Sequence, residues 1–175
     1  MHPEKAVVIV PPSLQQAEQL DEPLDAIPAL TGWVRGGLVG IALGLVMVFV
    51  IAWRLDPYQE DGTPRRMETH RQLGLPPCTF YLMTNLPCPS CGMTTSFALL
   101  MHGDLWNSLQ ANAVGTLLAL FGLAFIPWAL ACAVCGRTFF VISLERTLIV
   151  LIVTFLSLLL LRWAIVLGVI GLSKW

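Results

Sequence analysis

Cys88-Pro89-Ser90-Cys91-Gly92 sets two thiols three residues apart in a polar stretch of a chain that is otherwise mostly apolar. Thiols at this spacing can hold a metal, exchange disulfides, or pack as small apolar groups in a tight turn. For a metal, the glycine matters, because it tolerates the left-handed turn that aims backbone N–H groups at thiolates. A structural zinc site needs four ligands, and Cys132 and Cys135 offer a second pair. If residues 113–134 cross a bilayer, however, the two pairs lie at opposite ends of that helix, about 30 Å apart. A zinc site within one protomer therefore draws on Cys78, Cys88 and Cys91, completed by His70 or His102 from the same stretch. For redox chemistry, a helix starting just after the pair would lower a thiol pKa, with Thr79–Met83 as an extended piece ahead of it. The surrounding loop is too short and too rich in turns for a thioredoxin-like βαβ frame. The plainest alternative is a tight turn at the membrane surface with inert thiols. Cys132 and Cys135, at an apolar helix end closed by Gly136 and Arg137, read as packing residues.

Other residues stand out by type and place. Gly92, Thr94 and Thr95 follow the thiols, and either threonine can cap a short helix presenting Phe97, Leu100 and Met101 on one side. Gly103 breaks that helix, and Asp104 can cap a second turn carrying Leu105, Trp106 and Leu109 along the membrane interface. Gly36, Gly40 and Gly44 recur every four residues, a spacing suited to a helix packing seam, within the chain or between copies. Arg162 falls in the middle of an apolar run that holds no carboxylate to pair with it. Such a charge costs roughly 2.5–3.5 kcal/mol to insert, so it marks an anion or proton path, a headgroup contact, or a bond to backbone carbonyls.

The elements that must position these residues are membrane helices. The chain is 56% hydrophobic and 12% charged, about half the charged share of a soluble domain, which places it in the membrane class. A net charge of −1 gives no basic patch for phosphates, so no nucleic-acid partner is expected. No His-Glu-x-x-His helix, paired carboxylates or Gly-rich phosphate loop is present, and no catalytic constellation emerges. An odd cysteine count fixes no redox compartment, and no cleavable signal peptide is read. The expected fold is all-α and integral to the membrane, with three transmembrane helices and a short interfacial helix before the second. Residues 1–32 form a flexible polar tail, with a turn of helix over Ser13–Leu20. The spans are 33–53, 113–135 and 148–172, separated by a polar loop over 54–112 and a short loop over 136–147. Trp33 and Trp53 bracket the first span as interfacial aromatics. Arginines after that span favour a cytoplasmic central loop by a single residue.

Cys88-Pro89-Ser90-Cys91-Gly92-Met93-Thr94, then His102-Gly103-Asp104-Leu105, then Asn112, resembles the DUF2752 family of small bacterial membrane proteins. The pattern is Cys-Pro-x-Cys-Gly-x-Thr-Arg, a Gly-Asp step, and Asn-Pro entering a hydrophobic span, and the likeness covers about residues 78–135. Thr95 stands where Arg is usual and Ala113 where Pro is usual, so no fixed cation follows the thiols in sequence. The resemblance implies a multi-pass protein of the cell (inner) membrane and supplies no activity. The expected role is that of an accessory or interaction component, with the lipid bilayer and a homo-oligomer or membrane partner around it. The alternatives are zinc binding or thiol exchange at Cys88 and Cys91, and transport through Arg162.

Overall fold

The computed structural model describes residues 29–137 and 144–172. Most of the expected polar tail lies outside them, its helix over Ser13–Leu20 included, as does part of the expected 136–147 loop. The described residues are all-helical. In chain order they form α1 (Gly32–Arg54), a short 3-10 helix (Thr69–Leu73), α2 (Thr79–Thr84), α3 (Met93–Met101), α4 (Leu105–Cys135) and α5 (Leu144–Leu172).

Three of these are long and apolar enough to cross a membrane, with mean hydropathies of 2.4, 2.3 and 2.6 for α1, α4 and α5. Inside lipid a helix satisfies every backbone polar group by itself, so long charge-free runs have no other stable form. The protein is a multi-pass membrane protein with three spans.

Helices α1 and α4 run antiparallel. At one end the Leu30 N–H donates to the Gly136 carbonyl at 2.8 Å, and Arg35 Nε donates to the Ala133 carbonyl at 2.7 Å, closing the last turn of α4. Leu38 and Ala42 of α1 pack there on Ala129 and Cys132. Cys132 is therefore a core residue, while Cys135 is exposed. Further along, the Phe49 ring presses on Gly122, where a Cβ would sit only 3.2 Å from it. Gly36, Gly40 and Gly44 face away, with nothing within 4 Å of an added Cβ. The seam within the described chain is thus built from Leu38, Ala42 and Phe49, and the glycine stripe takes no part in it.

Helix α3 is a full member of this bundle. It buries Thr95, Ser96, Ala98 and Leu99 against its neighbours and stacks Phe97 on Phe49 at a ring separation of 5.7 Å. Its N-cap is Gly92, in the left-handed conformation, with no side-chain cap. Thr95 is no cap at all, because the residue lies inside the helix and accepts a 2.8 Å hydrogen bond from the Thr69 hydroxyl. Asp104 does cap α4, accepting from the Asn107 N–H at 3.1 Å. Thr79–Thr84 is helical where an extended piece was expected. Its aromatic and β-branched content favours a strand only beside a partner strand, and the described residues supply none. Asn85, left-handed at φ 54°, ends this turn by returning its N–H to the Tyr81 carbonyl.

Helix α4 bends sharply at Asn112 (φ −157°, ψ 100°). The Asn112 Oδ1 accepts from the Gly115 N–H at 3.0 Å, so Asn112 acts as the N-cap of the membrane-crossing part of α4. Ala113 then occupies the first helical position, where proline is favoured in general but not required. A buried polar seam surrounds the bend. Ser108 Oγ donates to the Ser96 carbonyl and meets the Thr116 hydroxyl, both at 2.7 Å, and Thr116 Oγ1 donates to the Asn112 carbonyl.

Helix α5 lies at the edge. No residue in its apolar stretch Arg146–Ile170 is buried. Phe155 meets Phe121 of α4 at 6.0 Å, beside an apolar cavity of about 390 Å³ between the two helices.

Candidate thiol site

Three local devices bring the thiols together. Cys78 is the N-cap residue of α2, with its carbonyl accepting from Leu82 N–H at 3.0 Å. The single turn of α2 and left-handed Asn85 then reverse the chain, returning Pro87 and Cys88 toward Cys78. Cys88–Cys91 closes as a tight turn, with the Cys91 N–H donating to the Cys88 carbonyl and the Met93 N–H to that of Ser90, both at 3.1 Å. Only glycine fits next. Gly92 has φ 83°, and an added Cβ would lie 2.6 Å from the Ala111 carbonyl oxygen and 2.9 Å from that of Arg66.

The result is a cluster of three sulfurs within 4.8 Å of one another. Cys88 Sγ lies 2.9 Å from Cys91 Sγ, and Cys91 Sγ lies 3.8 Å from Cys78 Sγ. The Cys88 N–H points at the Cys91 sulfur from 3.2 Å, and the Ser90 hydroxyl sits 3.4 Å from the Cys88 sulfur. Burial opposes ionisation of Cys88, yet hydrogen bonds from Cys91, Ser90 and Cys78 outweigh it and hold that thiol below its ordinary range. Burial, reinforced by the Cys88 sulfur, pushes the Cys91 thiol up.

The cluster opens into a cavity of about 390 Å³ that Glu68, His70 and Tyr81 also line. His70 is therefore within the same cavity, its Nε2 lying 3.3 Å from the Pro76 carbonyl. His102 is not. It ends α3, away from the thiols, with Nδ1 2.8 Å from the Ala98 carbonyl and its ring edge-on to Tyr58. Tyr58 Oη in turn donates to Asp104 at 3.3 Å, which ties this corner to the α4 cap instead. Thr94 and Thr95 both line the thiol cavity, and Thr95 is fully buried.

Residues from other elements brace the thiol turn. Asn112 Nδ2 donates to the Cys91 carbonyl at 3.2 Å, so the bend in α4 also braces the thiol turn. From α5, Arg162 Nη2 donates to the Ala111 carbonyl at 2.9 Å and Trp163 Nε1 to the Pro87 carbonyl at 2.8 Å. Trp163 also meets Phe80 of α2 edge-on. Arg162 lies within the apolar stretch of α5, and its bond reaches Ala111, the residue just ahead of the bend in α4.

No curated protein and no solved structure matches the chain. One family model does, over residues 78–126, from the first cysteine of the cluster through α2 and α3 into α4. Over that stretch, which holds all three clustered thiols and the Asn112 bend, the chain resembles the family described as Protein of unknown function (DUF2752).

Proposed function

We propose that this multi-pass membrane protein is an accessory component of the cell (inner) membrane whose central loop binds a thiophilic divalent metal, with zinc the leading candidate. The observation that carries the reading is the meeting of Cys78, Cys88 and Cys91 within 4.8 Å, from positions ten and three residues apart. Zinc holds thiolates at about 2.3 Å, which sets sulfurs about 3.8 Å apart in a tetrahedron. The Cys91–Cys78 separation already has this value, the Cys88–Cys91 separation is 2.9 Å, and all three sulfurs lie within 4.8 Å. His70, on the same cavity, is the fourth ligand available from the chain. Arg162, engaged with the Ala111 carbonyl, fits a positioning role better than a transport path.

The test is metal analysis of the reduced, detergent-purified chain. Wild type is expected to carry about one zinc per protomer, and Cys78→Ser, Cys88→Ser and Cys91→Ser each to lose most of it, while Cys132→Ser keeps it. A metal-free wild type of unchanged stability overturns the proposal. Thiol exchange by Cys88 and Cys91 is the second reading, favoured by the unequal acidity of the two thiols. In that case thiol trapping finds the pair cycling between oxidised and reduced while Cys78→Ser has no effect.

A further inference from the structure

Zinc held by three thiolates and a neutral histidine leaves a net negative charge at the edge of an apolar bundle. Such a charge is costly unless a cation lies close. The structure also holds a cation with the reverse problem. Among the described residues, Arg162 sits on a helix whose apolar stretch buries nothing, and α1 and α4 offer it no carboxylate. The nearest acidic side chain of the thiol cavity, Glu68, is paired with Arg71 at 3.3 Å.

The geometry brings these two unmet charges together. Arg162 donates to the Ala111 carbonyl, and that oxygen is the one that faces Gly92, next to Cys91. Trp163, the following residue, donates to the carbonyl of Pro87, next to Cys88. A single turn of α5 therefore touches both flanks of the thiol turn.

We propose that Arg162 is the counter-cation and positioning residue of the metal–thiolate site, supplied from the third span. This rests on the metal reading above. It accounts for a charge in an otherwise apolar helix, and it gives α5 a reason to dock where its apolar packing is sparse. Arg162 touches no ligand atom in this arrangement. It acts by offsetting the charge of the filled site and by holding the Ala111 carbonyl against Gly92.

The experiment is titration of the reduced, metal-free full-length chain with Co²⁺, read by the thiolate-to-cobalt charge-transfer band. Three variants separate charge from tether. Arg162→Gln keeps a donor for the Ala111 carbonyl and removes the charge, Arg162→Lys keeps the charge, and Trp163→Phe removes only the bond to Pro87. Wild type and Arg162→Lys are expected to bind with similar affinity, and Arg162→Gln about 10–100-fold more weakly, the usual cost of losing an outer-sphere partner. Melting curves of the metal-free variants are expected to coincide, which shows that the fold survives. Equal affinity for Arg162→Gln and wild type overturns the inference, as does equal weakening by Trp163→Phe. A wild type without the band overturns the metal reading itself, and the inference with it.

Discussion

At the scale of single residues, several side chains do a job that their identity permits but does not announce. Asp104 is the clearest. Its carboxylate is held below the usual aspartate range, first by the Asn107 side chain, then by the Asn107 N–H and Tyr58, against a small opposing effect of burial. A native pKa below the unfolded one adds stability that is fully present above the ordinary value of about 3.9 and is lost as pH falls through the native value. Asp104→Ala is therefore expected to cost about 1 kcal/mol at neutral pH. Thermal unfolding in detergent should show that gap shrinking toward zero on acidification, and a gap independent of pH would refute the capping role. His102 teaches the converse. Its type and loop position suit a ligand, yet α3 spends its ring on the Ala98 carbonyl and the Tyr58 ring.

At the scale of elements, the bend in α4 links the membrane to the thiols. Asn112 caps the crossing segment with Oδ1 and braces the Cys91 carbonyl with Nδ2, and it is fully buried while doing both. Asn112→Ala removes both bonds and leaves buried partners unmet, which is expected to cost about 2–3 kcal/mol. Asn112→Asp keeps the cap and loses the brace. Denaturation midpoints should fall in the order wild type, Asp, Ala, and equal midpoints for Ala and wild type would mean that the bend is set by packing alone. The same element explains the two departures from the family pattern. Ala113 sits at a first helical position already fixed by the Asn112 cap. Thr95 occupies a fully buried site and is bonded to Thr69.

For the whole molecule, α4 sets the distance between its two groups of cysteines. From Asn112 to Cys135 it is about 34 Å long, enough to cross a hydrocarbon core of roughly 30 Å. Exposed Cys135 and the clustered thiols are therefore expected on opposite faces of the membrane. A membrane-impermeant maleimide applied to intact cells should label one group and reach the other only after lysis. Labelling of both groups from the same face would break the three-span arrangement.

The sequence by itself determined the membrane class, the three spans and the thiol motif. Each depends only on local composition: a long run without charges has one stable form in lipid, and a Cys-Pro-x-Cys-Gly turn is read within five residues. Tertiary structure decided which groups share a site. Cys78 joins the pair because α2 reverses the chain, His70 lines the same cavity while His102 ends α3 on the Ala98 carbonyl, and Arg162 reaches Ala111 from another helix. Those outcomes depend on how antiparallel helices align in depth, which periodicity does not encode. The glycine stripe was legible as a small-residue face, but among the described residues the seam went to bulkier Leu38, Ala42 and Phe49, because their side chains bury apolar surface on Ala129, Cys132, Gly122 and Phe97, which glycines cannot supply.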